Sequence, residues 1–348
     1  MQIGKKTLAL PLIQGGMGIG VSLGNLAGHV ARAGAMGVIS TANPGYHELD
    51  FWTNPREANR RALTEEVKKA KELARGAGLV AINAMVATAD YVAAVQTAIA
   101  AGVDAIISGA GLPLDLPALA EGKNVLLAPV VSGGRAASAI CRMWQKRYCR
   151  LPDFVVLEGA DAGGHLGFTR QELETRTAKP LSALLAEVRE ALAPFGGIPV
   201  FVAGSVASGT DMRRYTEEGA AGAQIATPFI TTEECDASQA YKEVFLRAEP
   251  QDICLVDSPV GMPGRALRTP LLARLAREGR IAPRRCINCL TPCKPAETRY
   301  CITHALIEAV RGNVEEGLFF CGSGAGKARA IVPVKTLIDE WMKAWRNA

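Results

Sequence analysis

The chain has 348 residues, 49% hydrophobic but only 5% aromatic, with 36 glycines and a net charge of +5 carried by scattered basic residues. That length suits a barrel of about 250 residues plus an appendage, and the shortage of aromatics argues against an all-β sandwich. The scattered charge excludes a nucleic-acid surface, which needs a basic patch interleaved with aromatics, and no run approaches the roughly 20 apolar residues of a membrane-spanning helix.

At the N-terminus Lys5 and Lys6 precede Leu8–Ile13, a faint likeness to a signal peptide that Pro11 interrupts and Gly15–Gly16 cut short. A cytoplasmic protein is expected, in which nine cysteines are thiols or metal ligands rather than disulfides. Leu8–Ile13 reads instead as a first strand. One unit then recurs, in which an Ala-rich helix ends at Gly and a short apolar strand follows. Gly34 precedes Met36–Ser40, Gly78 precedes Leu79–Asn83, Gly102 precedes Asp104–Ser108, and Gly122 precedes Val125–Val131. Phe154–Gly159 follows as the sixth strand, and Gly197 and Gly219 introduce Ile198–Ala203 and Gly222–Ala226. Helices are predicted over Leu23–Ala33, Pro55–Arg75, Ala89–Ala101, Leu116–Glu121, Arg135–Tyr148, Leu181–Leu192 and Thr210–Glu218. The basic run Arg142–Arg150 thereby becomes a solvated helix face. Continuous apolar strands are covered on both faces. Eight βα units therefore predict an α/β fold, a (β/α)8 TIM barrel over residues 1–245, with an open doubly wound sheet as the alternative. Residues 246–330, rich in Pro and Cys, read as a cap, and 331–348 as a closing helix.

Function in such a barrel gathers where the strands end, and there the chain is rich in Gly, Ser and Asn. The ends carry Gly15, Gly16 and Met17; Asn83; Ser108; Glu158, Ala162, Gly163, Gly164 and His165; Ala203, Gly204 and Ser205; and Gln224, Ile225, Ala226 and Thr227. Glycines at the last two strand ends suit a phosphate grip made of backbone N–H groups. Asn83 suits the edge of a flat heteroaromatic ring, against which Gly15–Gly16 would let backbone lie. One such glycine is merely a turn; six glycine-rich loops at one end of a barrel point to a ligand. His165 has the residue type for acid/base work near neutral pH. The other histidines, His29, His47 and His304, read as surface helix or loop residues, with entry into the mouth as an alternative for His47, which follows strand two.

At these loops the chain resembles the nitronate monooxygenase family, formerly called 2-nitropropane dioxygenases, which includes FMN-dependent enoyl-acyl-carrier-protein reductases. The resemblance rests on GGMG, INAM, EGADAGGHLG, PVFVAGSVASG, AGAQIATPF and SPVGMPGRALRT, and it covers nearly the whole chain. It implies FMN, with Gly15, Gly16 and Met17 along the ring, Asn83 at its edge, and Ala162, Gly163 and Gly164 flanking it. It places Ala203, Gly204, Ser205 and Gln224, Ile225, Ala226, Thr227 at the phosphate, and His165 as the acid/base residue. Asp161 stands where the family often has Glu, and Ala226-Thr227-Pro228 replaces a GTR-like stretch.

Cys286, Cys289, Cys293 and Cys301 give C-x2-C-x3-C-x7-C, four thiols that can close on one metal centre. The spacing is similar to that of the [4Fe–4S] motif in flavin-dependent dienoyl-CoA reductases; structural zinc is the alternative. The remaining cysteines read as core or surface thiols, with Cys321 unassigned. Three functions compete: nitronate oxidation on FMN, enoyl-thioester reduction with an iron–sulfur cluster, and a non-flavin phosphate-binding isomerase or aldolase. A small-molecule substrate is common to all, with NAD(P)H as a possible reductant for the flavin readings, and the chain is compatible with a homodimer.

Overall fold

Short apolar runs that must cover both faces satisfy that need by pairing side by side between an inner core and an outer helix layer. The computed structural model describes residues 1–204 and 206–347. Its barrel strands are β1 (Leu12–Gln14), β2 (Met36–Ser40), β3 (Leu79–Met85), β4 (Ala105–Gly109), β5 (Leu126–Val131), β6 (Val155–Glu158), β7 (Val200–Ala203) and β8 (Gly222–Ile225). They pair in parallel in chain order, and β8 returns to β1 through Ala223↔Leu12 and Ile225↔Gln14. The fold is the expected (β/α)8 barrel, and its closure rules out the open sheet.

The first strand begins at Leu12 rather than Leu8. Pro11 has no N–H to give a ladder, and the backbone before it is engaged elsewhere: Leu8 N donates to Met1 O and Leu10 N to Gly34 O. A two-stranded hairpin that the sequence reading missed, Gln2–Ile3 with Lys6–Thr7, precedes it. Ile3 and Leu8 are fully buried among the interior residues Met36, Phe154 and Phe201. The hairpin thus stoppers the N-terminal end of the barrel and leaves the C-terminal end as the site of access.

Strand residues alternate faces with a period of two. Ile13, Val38, Ala81, Ile107, Ala128, Val156 and Phe201 fill the interior, while Leu12, Ile39, Val80, Ile106, Leu127 and Val202 meet the helices. The Phe154 and Phe201 rings meet edge to face at 5.5 Å deep in the barrel. Phe201→Ala is expected to destabilise the chain by about 3–5 kcal/mol, seen as a lower denaturant midpoint at unchanged slope; a loss below about 1 kcal/mol would show an interior that collapses onto the gap.

The outer helices include Gly24–Arg32, Pro55–Ala74, Gly134–Tyr148, Leu181–Leu192 and Gly209–Glu217. Asp236, reaching back from beyond β8, caps the first of these by accepting from Leu23 N at 2.8 Å and Leu26 N at 3.1 Å. The basic residues Arg142, Lys146 and Arg147 lie on the exposed face of their helix. The C-terminal helix Val334–Asn347 buries Val334, Ile338 and Met342, and Trp345 Nε1 donates to Thr216 Oγ1 across to Gly209–Glu217.

Between β8 and that helix the chain builds a cap. It holds the helices Thr227–Ile230, Gln239–Arg247, Pro270–Glu278 and Ile302–Val310, and an antiparallel sheet of Ile253–Asp257, Pro263–Leu267 and Gly164–His165. Pro263 stands at the first position of its strand, where no ladder donor is lost. The third strand comes from the loop after β6, so the cap and the barrel mouth share one sheet. No described helix is long and apolar enough to cross a membrane.

Candidate functional site

Alternation along the strands decides which polar residues reach the mouth. Ala81 and Val156 face the interior, so Asn83 and Glu158, two residues on, face it as well; Gln224 does so between Ala223 and Ile225, which meet the helices. Asn83, Glu158 and Gln224 therefore form a polar layer on the apolar plug of the barrel. Gln224 Oε1 is buried and without a hydrogen-bond partner. The side chains of Asn83 and Glu158 make no hydrogen bond to another described residue. Beside them the loop after β1 is tied down by Gly15 N donating to Ile225 O at 2.7 Å, and a side chain at Gly16 would run into Asn83. Buried polar groups normally find partners. Unspent amide and carboxyl groups around exposed backbone fit a flat ring with carbonyl and N–H edges, as FMN has.

Burial in the mouth raises the Glu158 carboxyl to about 8, with the Arg265 guanidinium pulling the other way. A folded-state value above the ordinary carboxyl range means that the fold favours the protonated form. The associated stability is present below the unfolded value of about 4.3 and is lost as pH rises through about 8. Glu158→Gln is therefore expected to raise the melting temperature of the apoprotein at pH 8.5 (above that folded value) and to leave it nearly unchanged at pH 4. Equal shifts at both pH values would contradict a carboxyl held protonated.

The loop that carries His165 is fixed from three sides. Gly164 and His165 pair with Arg265 and Gly264 of the cap sheet. Arg265 Nη1 donates to Ala160 O at 2.7 Å and to Ala162 O at 2.6 Å. The segment Phe320–Gly324 packs beneath: Ser323 N donates to Asp161 O and Cys321 N to Arg265 O. Gly163 lies so close to it that a Cβ would stand 2.5 Å from the Cys321 carbonyl carbon. This is the place of the unassigned Cys321, whose thiol is buried and pushed up to about 12.

His165 lines a cavity between the strand ends and the cap. Thr41, Asn43 and Met85 border it from the barrel, and Val260, Leu290 and Ile302 from the cap. His165 Nε2 and Ser258 Oγ share a 2.7 Å hydrogen bond, and the ring edge meets Phe320 at 5.1 Å. Burial lowers the imidazole to about 4, so it is neutral at working pH. The fold therefore does not give the imidazole the ordinary value of about 6.5 that the residue type alone leads one to expect. With Nε2 engaged by Ser258, Nδ1 makes no bond to a described residue and is left as donor or acceptor according to the tautomer.

Other expectations divide. Ser108 is spent inside the protein: its hydroxyl donates to Ala84 O and pairs with Tyr91 OH at 2.9 Å, on the helix side of β4, so it does not reach a ligand. Ile225 points its side chain into the outer core and offers only backbone. Thr227 Oγ1 accepts from Gly322 N at 2.9 Å, which brings the Gly322-Ser323-Gly324 backbone to the expected phosphate end. Gly204 abuts Ala162, bringing the loops after β6 and β7 together; Ser205 lies outside the described residues. Met17 N donates to Ser22 Oγ, and its side chain packs near Val21 and Tyr46. His47 is exposed beside Glu48 and does not line the cavity. Sequence reasoning missed Thr41, Asn43, Ser258 and Arg265. The last two sit in SPVGMPGRALRT, which was noticed for its likeness without a role for either residue.

Cys286, Cys289, Cys293 and Cys301 all line a second cavity. The four thiols share its wall rather than one point: among the described residues no three His, Cys, Asp or Glu side chains converge as a bound metal ion requires.

The family that matches this chain, over residues 1–343, is described as nitronate monooxygenase. A nitronate monooxygenase of Pseudomonas aeruginosa is 30% identical over 193 residues, covering 54% of this chain and 51% of the relative, so the chain spans about half the length of this curated relative. Among solved structures, FabK from Thermotoga maritima superposes with a TM-score of 0.74 at 24% identity, covering 98% of this chain and 94% of that one. A nitroalkane oxidase from Streptomyces ansochromogenes superposes at 0.72 and 20% identity, covering 97% and 96%.

Proposed function

This chain belongs to the nitronate monooxygenase family, and on that premise we propose that it is an FMN-dependent oxidoreductase that oxidises nitronates in the barrel mouth. The observation that carries the reading is the layer of Asn83, Glu158 and Gln224 at the ends of β3, β6 and β8, with Gln224 Oε1 buried and unpartnered and no side-chain hydrogen bond from Asn83 or Glu158 to another described residue. Gly15, Gly16, Asn83 and Gln224 would hold the ring of FMN, and Gly204, Ala226 and the Gly322–Gly324 backbone its phosphate. FMN bound there supplies a two-electron acceptor and donor.

The chain's own contribution is positioning and proton handling. The cap roof of Val260, Leu290 and Ile302 keeps water from the reacting face. Neutral His165 holds a substrate oxygen through Nδ1–H when Ser258 donates to Nε2, and takes a proton at Nδ1 in the other tautomer. Ser258 therefore selects between the two roles. Heat-released supernatant is expected to contain one flavin, FMN by chromatography; FAD, or no flavin after reconstitution, would overturn the assignment.

A second reading, reduction of an enoyl thioester by NAD(P)H or through an iron–sulfur centre, is favoured by one observation. The cysteine-lined cavity shares Cys289, Leu290, Ile302 and Thr303 with the cavity of His165. The non-flavin isomerase or aldolase leaves unexplained the layer of Asn83, Glu158 and Gln224, polar side chains without a partner among the described residues.

A further inference from the structure

The cysteine segment departs from ordinary cap structure in several ways at once. Its ligand-type side chains are all sulfur, and they surround one cavity. Asn288, between the first two cysteines, takes a positive φ of 51°, and this turn aims its N–H at Cys286 Sγ, 3.3 Å away. Thr303 Oγ1 donates to Cys289 Sγ at 3.0 Å. Donors trained on sulfur are what a metal-bound thiolate accepts, and they tune such centres. Arg285, next to the first cysteine, lines the same cavity and lies 6.0 Å over the Trp52 ring, which supplies positive charge beside the four thiols.

We propose that Cys286, Cys289, Cys293 and Cys301 hold a polynuclear iron–sulfur centre that passes single electrons into the cavity of His165. Geometry separates this from zinc. A single zinc ion needs its four sulfurs about 2.3 Å from one point, a convergence that the described residues do not show. A cluster binds each thiolate on its own iron and fills the space between with sulfide, so four thiols that line one cavity without meeting at a point suit it.

Position assigns the direction of flow. On the inner side, the cysteine segment is stitched to the end of β3: Ala89 N donates to Cys289 O at 3.0 Å, and Thr88 bridges Leu290. Cys289 lines both cavities. On the outer side, the cysteine cavity shares Trp52, Pro283, Arg285 and Cys301 with a groove in which Arg274 and Arg311 pair with Glu316 and Glu308, and Arg284 and Arg285 stand outside those pairs. That excess of positive charge fits an acidic one-electron carrier protein as the donor. Each carrier is oxidised by one electron as the centre is reduced by one; two such transfers with two protons match the saturation of one double bond in the mouth. The metal site stands independently, whereas the relay into the mouth rests on the second reading above, reduction of an enoyl thioester on FMN.

The test uses the full chain purified without oxygen. About four iron and four acid-labile sulfide per chain are expected, with an electron-paramagnetic signal on reduction. Cys289→Ser is expected to lose at least about half of the iron, while Cys149→Ser, at an exposed thiol outside the site, keeps all of it; circular dichroism checks that both fold. Zinc alone, no metal after reconstitution with iron and sulfide, or full iron in folded Cys289→Ser would each overturn the centre. FMN present without iron leaves the flavin reading and sinks the centre. Iron present without FMN keeps the centre and overturns the relay.

Discussion

His165→Ala is expected to retain its flavin and to lose roughly 10²–10⁴-fold in turnover, the usual contribution of a positioned acid/base group. The flavin should stay because the ring-binding groups Asn83 and Gln224 lie on β3 and β8, away from the cap sheet that holds the imidazole. The pH behaviour is the sharper readout. Burial holds the imidazole down to about 4, so His165 should place no limb near its ordinary value of about 6.5 in a turnover profile. The stability sign follows. The folded state binds fewer protons than the unfolded chain between those values, so stability is complete above about 6.5 and is lost as pH falls through about 4. The alanine variant should lose less over that window. Near-normal turnover with flavin bound would assign His165 to structure and the proton to another group.

Arg265→Ala should have the second largest effect. Its guanidinium donates to Ala160 O and Ala162 O, and hydrogen bonds from a charged group are worth about 1.5–3 kcal/mol each. Losing them frees the loop before His165, and a misplacement of about 1 Å can cost on the order of 10²-fold. A drop in kcat of that size is expected, with a smaller change in KM and partial recovery in Arg265→Lys, which keeps one donor direction. Arg265 is a positioning residue, so a readout apart from rate is available: nuclear magnetic resonance should show the His165 ring titrating closer to its ordinary value as solvent enters. An unchanged titration with full activity would leave Arg265 with no part in the site.

How far the chain could be read in advance depended on which physical signal each element carries. Met36–Ser40 and Leu181–Leu192 appear with the same bounds as the pattern predicts, because an apolar run after a glycine and an amphipathic run between prolines are local signals. Ser108 was misplaced because a strand apolar on both faces hides which parity looks inward, and only barrel closure decides it. The cap sheet was invisible since its third strand, Gly164–His165, is two residues from a loop paired with residues a hundred positions away. Asn83, Glu158 and Gln224 were legible as polar strand ends, but that their side chains lack hydrogen-bond partners among the described residues is a fact of packing. The neutrality of His165 has the same origin: burial by Ser258, Phe320 and the cap leaves no trace near position 165.

The account is tested most directly by mixing the flavin-loaded protein with a nitronate in the absence of oxygen. The oxidised flavin band is expected to bleach in wild type and to bleach more slowly, by roughly the 10²–10⁴-fold of a lost acid/base group, in His165→Ala. A band that stays intact with every nitronate tried, while NAD(P)H or a reduced carrier bleaches it at once, would contradict nitronate oxidation in this mouth.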